Sequence, residues 1–253
     1  MGSAKIYYKR NLPHYQPEDN VFFITFRLYG TLSTNIVRKL KEIKQERLKQ
    51  IAEYDNKEIR KEKYSELKNK YFKLYDDYLN KANTGSKWLI VPKIAVVVKN
   101  EIHFSDGKEY NLVAYTIMPN HVHLGFTPIV KRITDSLKTE GERINSYKIK
   151  RPVERDSSRS PNNLSIDINV DIQYPVTDIL RKIKGSTARE CNKLLNRTGP
   201  FWQHESYDHV IRDTKALKRI INYILNNPVK AGLVKPGEAW KHSYVNYNLI
   251  PEV

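Results

Sequence analysis

The sequence Tyr110-Asn-Leu-Val-Ala-Tyr-Thr-Ile-Met-Pro-Asn-His-Val-His-Leu-Gly-Phe-Thr127 establishes more about the architecture of this chain than any other segment. Its first half, up to Met118, is rich in β-branched and aromatic residues, which indicates a strand. Pro119-Asn120 is typical of a tight turn, and residues 121–127 indicate a returning strand. The segment therefore predicts a β-hairpin.

Apolar periodicity on either side of this hairpin predicts further strands and helices. The last predicted helix begins at a cap formed by Asp213 or Thr214 and ends at Asn227, because Pro228 follows. Beyond Gly232 the chain is predicted to be irregular. The remaining predictions are a strand at 21–29, a helix at 176–195 and a short strand at 207–212.

The segment 92–104 is compatible with two structures. Its β-branched residues favour a strand, whereas Pro92 in a first-turn position favours the start of a helix. If it is a helix, the order of elements is βαββαβ followed by a C-terminal helix. That order predicts an α+β fold of the ferredoxin-like kind, with an antiparallel sheet and helices on one face.

Two stretches lie outside this pattern. Residues 33–84 are dominated by Lys, Glu and Leu and predict a helical insert, as one long helix or as two helices folded back near Asp55-Asn56. Residues 141–175 carry Ser, Asn, Pro and Arg with little periodicity, which predicts a flexible excursion. Both are interpreted as parts of a single domain that spans residues 1–253.

Composition points to a polyanionic partner. The 253 residues include 44 Lys and Arg against 28 Asp and Glu, giving a formal net charge of +16. Basic contacts to phosphates add affinity by releasing counterions, so nucleic acid is the first candidate and an anionic membrane surface the second. The absence of an apolar run of about 18 residues argues against a membrane protein. The single cysteine, Cys191, excludes an internal disulfide and favours a reducing, cytoplasmic setting.

His121 and His123 are candidate metal ligands. Side chains two residues apart on a strand share a face, so both imidazoles point the same way. Two neutral imidazoles at that spacing can hold one divalent ion. A His-x-His sequence alone is about as often structural as metal-binding, but its position in a predicted hairpin favours the metal.

The last predicted helix carries Tyr223 and Asn227 one turn apart, on one flank of its apolar stripe. Asn227 can offer a carboxamide oxygen as a third ligand, which suits Mg²⁺ or Mn²⁺. Tyr223 can present its hydroxyl to a phosphate, and covalent attack would conserve the energy of the broken bond. The alternative is that Tyr223 is an ordinary flank residue and Asn227 only ends the helix.

Four motifs carry a resemblance to a known family. They are Ala114-Tyr-Thr-Ile-Met-Pro-Asn-His-Val-His123, Gly199-Pro-Phe-Trp-Gln203, Tyr207-Asp-His-Val-Ile-Arg-Asp213 and Tyr223-Ile-Leu-Asn-Asn-Pro-Val-Lys-Ala-Gly-Leu233. Jointly they resemble REP-associated tyrosine transposases, which are relatives of the single-tyrosine HUH transposases of bacterial insertion sequences. The resemblance covers the first strand and residues 92–234, apart from the predicted excursion.

The resemblance implies a ferredoxin-like sheet in which residues 92–104 form the first core helix. It implies His121 and His123 as the metal pair, Asn227 as the third ligand and Tyr223 as the nucleophile. The implied substrate is single-stranded DNA with a small hairpin, cleaved through a 5′-phosphotyrosine intermediate with a free 3′-OH. Relatives that transpose work as dimers, so a homodimer is an expectation, as is a cytoplasmic, nucleoid-associated location.

Other assignments remain open at this level. Tyr207, next to Asp208 and His209, is a competing nucleophile, and His204 and Glu205 are alternative ligands or bases. Two rival functions are a non-catalytic nucleic-acid-binding protein on the same fold and a hydrolytic metallonuclease in which water attacks. The candidates for phosphate contacts are Lys182, Lys184, Arg189 and Arg212.

Overall fold

The computed structural model describes residues 7–9, 13–15, 20–82, 84–129 and 175–250. Its strands are β1 (Tyr7–Lys9), β2 (Pro13–Tyr15), β3 (Val21–Leu28), β4 (Tyr110–Ile117), β5 (His121–Pro128), β6 (Trp202–Ile211) and β7 (Ser243–Val245). Its helices are α1 (Thr34–Ala52), α2 (Lys57–Asn80), α3 (Pro92–Phe104), α4 (Pro175–Leu194) and α5 (Thr214–Lys230).

The main sheet has five strands in the order β6-β3-β5-β4-β7, and every neighbouring pair is antiparallel. Counted along the chain, the four long strands lie in the spatial order fourth, first, third, second. Helix α3 follows α1 and α2 in the connection from the first long strand to the second, and α4 lies between the third and the fourth. This is the ferredoxin-like arrangement, so the predicted α+β fold is confirmed. The strand alternative for residues 92–104 is wrong.

The two faces of the sheet are covered by different helices. Residues such as Ile24, Phe26 and Leu124 pack with buried side chains of α3 and α4 in one apolar layer. On the opposite face, Phe23 and Val113 pack with buried side chains of α5. The two core helices therefore share one face as predicted, while the C-terminal helix covers the other.

The helical insert consists of two helices, α1 and α2, separated by residues 53–56. Ser33 caps α1 by accepting a hydrogen bond from the backbone N–H of Ile36 at 3.4 Å. Asn56 caps α2 through its Oδ1, which accepts from the N–H groups of Glu58 and Ile59. Of the two alternatives for this stretch, the folded-back pair is therefore the one that forms.

Three predicted boundaries are wrong. The strand predicted at 207–212 begins earlier in the chain, because β6 spans Trp202–Ile211. Helix α5 continues through Pro228 to Lys230, although the proline lacks an N–H to donate to the preceding turn. Pro228 is buried, so packing offsets the missing bond, and the backbone N–H of Leu233 donates to the proline carbonyl at 2.9 Å in the turn that follows. The tail is also not wholly irregular, because β7 pairs with β4.

The predicted excursion lies outside the described residues, except for Pro175, which begins α4. Among the helices that are described, none has the length and apolar character needed to cross a membrane.

Candidate metal centre and tyrosine site

His121 and His123 lie at the centre of the sheet on β5, and neither side chain is exposed to solvent. Because side chains alternate along a strand, both face away from the apolar layer and toward α5. Their Nε2 atoms are 3.0 Å apart. The Nδ1 atom of His121 lies 2.6 Å from Oδ1 of Asn120, and that of His123 lies 2.7 Å from the hydroxyl of Thr25. The Nδ1 contacts orient both rings so that the two Nε2 atoms converge on one point.

Asp76 completes this cluster from α2. Its Oδ1 lies 3.2 Å from Nε2 of His123 and 3.9 Å from Nε2 of His121, and it makes no hydrogen bond of normal geometry. Its Oδ2 accepts a hydrogen bond from Nδ2 of Asn80 at 3.0 Å. One ligand atom from each of these three residues lies within 4.8 Å of the other two. The structure thus places a carboxylate oxygen against two imidazole nitrogens.

Burial controls the protonation of the cluster. Desolvation, reinforced by the neighbouring His123, lowers the pKa of His121 to about 3, so this ring is neutral at pH 7. Desolvation would raise the pKa of Asp76, but the hydrogen-bonding interaction and charge of His123 outweigh it and lower that pKa to about 2. A neutral imidazole and an ionised carboxylate are the forms that bind metal ions.

This donor set fits a divalent ion. An ionised oxygen ligand with two nitrogen ligands suits Mn²⁺ well and also accommodates Mg²⁺. The buried Oδ1 of Asp76 makes no hydrogen bond of normal geometry, and a cation would satisfy it.

Tyr223 lies beside this cluster on α5. Its ring is 5.6 Å from the ring of His123, in an edge-to-face arrangement, and 5.5 Å from that of Phe72. Its hydroxyl is buried and makes no hydrogen bond of normal geometry, although Asp76 and Asn227 both act on it electrostatically. Burial, followed by the carboxylate of Asp76, raises the pKa of Tyr223 well above its ordinary value. The phenol is therefore neutral in this arrangement.

Asn227 is fully buried one turn further along α5. Its Oδ1 accepts a hydrogen bond from Nδ2 of Asn80 at 2.9 Å, while its own Nδ2 makes no hydrogen bond of normal geometry. Asn80 therefore joins Asn227 to Asp76, since it also donates to that carboxylate. The backbone carbonyl of Leu79 accepts from Nδ2 of Asn120 at 2.9 Å. These contacts fix the end of α2 against the histidine strand and close the site from that side.

Sequence reasoning did not identify Asp76 or Asn80. Both lie in a helix whose composition is dominated by Lys, Glu and Leu, and neither belongs to a ligand motif. One signal was available, because Asp76 and Asn80 are four residues apart and so share a face of the helix. That face also carries Phe72, which packs edge-to-face against Phe23 with ring centroids 5.4 Å apart.

The predicted phosphate contacts lie elsewhere. Lys182, Lys184 and Arg189 belong to α4, which packs on the sheet face opposite to the histidines. Nζ of Lys182 lies 2.5 Å from a carboxylate oxygen of Glu109, and Nζ of Lys184 donates to the carbonyl of Gln203 at 2.7 Å. Arg212 is exposed after the end of β6. The structure therefore does not bring the α4 cations together with the histidine pair, and their role stays a prediction.

Tyr207, the competing nucleophile, is half-buried on β6. Its ring stacks on Phe72 with centroids 4.5 Å apart, and its hydroxyl donates to the carbonyl of Lys68 at 3.4 Å. Burial raises the pKa of the Tyr207 phenol above its ordinary value. His204 and Glu205 are exposed, with Nδ1 and Oε1 3.4 Å apart. None of these three is among the residues that form the buried cluster.

Fold and site together define a class of protein. It is a ferredoxin-like α+β domain whose sheet presents two histidines to a buried aspartate and to a tyrosine on the C-terminal helix.

We compared the sequence of the chain with those of known proteins. No protein-family model matches the chain. A Haemophilus influenzae protein provisionally named a REP-associated tyrosine transposase is 30% identical over 89 residues, which is 33% of this chain and 48% of that protein. A second, uncharacterized H. influenzae protein is 26% identical over 118 residues, which is 46% of this chain and 52% of that protein. The chain thus spans about half the length of the curated relatives it matches.

A solved structure of a REP-associated tyrosine transposase bound to a REP hairpin has a TM-score of 0.45 and 16% identity, over 93% of this chain and 80% of that one. In sequence, the chain is similar to REP-associated tyrosine transposases. This confirms the resemblance that the motifs indicated.

Proposed function

We propose that the protein is a metal-dependent single-stranded DNA endonuclease and strand transferase that acts on hairpin DNA through a 5′-phosphotyrosine intermediate. The sequence similarity and the histidine cluster support transposase-like processing of DNA. The observation that carries the finer proposal is the buried Tyr223 hydroxyl, which makes no hydrogen bond of normal geometry and lies in the same site as the paired histidines and Asp76. The formal charge of +16 favours a nucleic-acid partner.

We propose His121, His123 and Asp76 as the residues that hold Mg²⁺ or Mn²⁺. Asn227 remains a proposed further ligand, for which its Oδ1 would have to leave Asn80. A divalent ion held at this site would neutralise charge on a phosphodiester and orient the scissile bond. Asn120 and Thr25 hold the two imidazole rings in position through their Nδ1 atoms.

Tyr223 is the proposed nucleophile. Its phenolic oxygen forms a bond to phosphorus, and the bond from phosphorus to the 3′ oxygen breaks. The phenol gives up one proton and the leaving 3′ oxygen takes one, so the products are a 5′-phosphotyrosine and a free 3′-OH. The energy of the phosphodiester is conserved, and a second 3′-OH can reverse the reaction.

The helical insert, residues 33–84, contributes to the proposed site. Helix α2 contributes Asp76 and Asn80 to a site otherwise built on β5 and α5. We therefore propose that residues 33–84 are an insert within one domain and not a separate unit. A homodimer is also proposed, on the resemblance alone, and sedimentation of the purified protein would test it.

The decisive experiment uses a library of labelled single-stranded hairpins with Mg²⁺ or Mn²⁺ on a denaturing gel. We expect the wild type to form a covalent protein–DNA band that requires metal. Tyr223→Phe removes only the hydroxyl and should abolish this band while DNA binding persists. Tyr207→Phe is the matched control and should retain the band.

Three results would contradict the proposal in different ways. Cleavage without a covalent band would indicate a hydrolytic metallonuclease in which water attacks. A covalent band that persists in Tyr223→Phe and disappears in Tyr207→Phe would show that Tyr207, and not Tyr223, is the nucleophile. Binding of the hairpins with neither cleavage nor adduct would indicate a non-catalytic nucleic-acid-binding protein.

A further inference from the structure

Arg27 is a charged side chain in an unusual position. It lies on β3 directly opposite His121, its cross-strand partner on β5. Thr25, two residues earlier on the same face of β3, contacts His123, so Arg27 faces the side of the sheet that carries the histidines. The arginine is only 5% exposed to solvent. A buried arginine therefore lies on the strand beside His121, on the sheet face that carries the candidate metal centre.

The guanidinium lacks a counter-charge. Within the described part of the chain, no carboxylate forms an ion pair with Arg27. Its Nε has no hydrogen-bond partner, and Nη1 makes only a 3.5 Å contact to the carbonyl of the adjacent Leu28. Buried arginine is normally paired, because an uncompensated charge in the interior is strongly destabilising. Within the described residues, Arg27 is thus a buried cation that makes no ion pair with a carboxylate.

Two tyrosines of α2, Tyr71 and Tyr75, lie near Arg27 and are neutral. Burial raises the pKa of Tyr75 to about 12, and both the charge of Arg27 and a hydrogen-bonding interaction with it oppose part of that rise. The charge of Arg27 acts in the same way on Tyr71. Both phenols stay protonated at pH 7, so they can hydrogen-bond to the arginine or to a ligand but cannot neutralise it.

We infer that Arg27 binds a phosphate group of the substrate beside the histidine pair. This inference rests on the proposed function, which requires a phosphodiester at this position. A guanidinium presents N–H donors in a planar fork that matches two oxygens of a phosphate, and a buried one does so with little competition from water. Arg27 thus recognises the anionic backbone and positions it, while Tyr223 carries out the chemistry.

The first test is anion binding by the full-length, metal-free protein. The probe is inorganic phosphate, compared with chloride at equal ionic strength, and the readout is the melting temperature. We expect phosphate to stabilise the wild type, Arg27→Met to lose that shift and Arg27→Lys to keep part of it. Arg38→Met removes an exposed arginine of α1 and should behave like the wild type.

The same variants reveal whether the arginine is structural. Without phosphate, Arg27→Met should melt at the same temperature as the wild type or higher, because it removes an unpaired buried charge. A large fall in melting temperature would assign Arg27 to the fold and overturn the inference. The inference would also be overturned if phosphate raised the melting temperature of the wild type and of Arg27→Met equally. It would be overturned as well if phosphate did not raise the melting temperature of the wild type.

The second test uses the hairpin that forms the covalent band, with a neutral methylphosphonate in place of the cleaved phosphate. The change should weaken binding to the wild type about ten- to hundredfold. When both affinities are measured without a divalent metal, the change should have no further effect on Arg27→Met, since the arginine contact is already lost. An equal loss of binding affinity in the wild type and in Arg27→Met would overturn the inference and leave the nuclease proposal intact. Conversely, phosphate could raise the melting temperature only when Arg27 is present, while no covalent band forms with any hairpin. That result would support the anion site and refute the proposed reaction.

Discussion

The two faces of the sheet differ in what they bury. Alternate residues of β3 separate them, because Phe22, Ile24 and Phe26 enter the apolar layer under α3 and α4, whereas Thr25 and Arg27 point to the other side. That second face buries two histidines together with Asp76 and Asn227 beneath α2 and α5. Buried apolar groups stabilise the fold, while buried polar groups stabilise it only when they are paired. The same strands therefore carry a layer for stability on one side and a candidate reaction site on the other.

Because the apolar face stabilises the fold, we expect substitution of a side chain buried there to cause a large loss of stability. Phe26 is fully buried and packs edge-to-face on Trp202 with ring centroids 4.8 Å apart. We expect Phe26→Ala to lower the free energy of unfolding by about 3–5 kcal/mol, because it leaves a cavity. Denaturant unfolding measures this. Phe104→Ala, at a position that is 66% exposed, is the matched control and should cost far less. Equal losses would mean that the apolar layer is not the main source of stability.

On the polar side the expected effect is on ligand binding. Asp76→Asn keeps the shape of the side chain but removes the charge at Oδ1. We expect it to weaken Mn²⁺ binding by about ten- to hundredfold, measured by titration calorimetry. The neighbouring Asp77→Asn, an exposed position on the same helix, should bind metal like the wild type. If both variants bind Mn²⁺ as tightly as the wild type, Asp76 is not a ligand.

The polar face should also make stability depend on pH. The pKa of His121 is about 3 in the folded state, below its ordinary value of 6.5, so the unfolded chain binds the additional proton between these values. Stability must therefore fall as the pH is lowered from about 6.5 toward 3, by up to about 1.4 kcal/mol per pH unit for one proton. Asp76 adds to the loss only below about pH 4, since its pKa is lowered to about 2.

Unfolding of metal-free protein between pH 4 and 7 measures this dependence. His121→Gln should reduce the slope of the unfolding free energy against pH, because about one proton fewer is taken up on unfolding. His209 also has a lowered pKa, to about 4, chiefly because it is buried, so some dependence should persist in the variant. A variant curve with the wild-type slope would show that His121 is not the group that titrates.

Much of the fold was predictable because it follows from local patterns. The hairpin at 110–127 was recognisable from strand propensity and one turn, and the shared face of His121 and His123 followed from the two-residue period of a strand. The spacing of Tyr223 and Asn227 followed in the same way from the helical period. The segment 92–104 was ambiguous locally, because packing of α3 against the sheet outweighs the strand propensity of its β-branched residues.

Other features were beyond local reasoning. The end of α5 was misplaced because a buried Pro228 is tolerated where its neighbours pack well. The three-residue β7 has no periodicity to detect and exists because β4 offers it a free edge. Asp76 lies 45 positions before His121, and no spacing rule connects them.

The sequence by itself determined the ferredoxin-like order of elements, the histidine pair, the tyrosine and the basic character that favours nucleic acid. Tertiary structure alone decided that α2 docks on the histidine face and brings Asp76 and Asn80 into the site, and that Arg27 is buried there without a counter-charge. The physical reason is that periodicity fixes which residues share a face of one element. Which elements then meet depends on packing between surfaces that are distant in the chain.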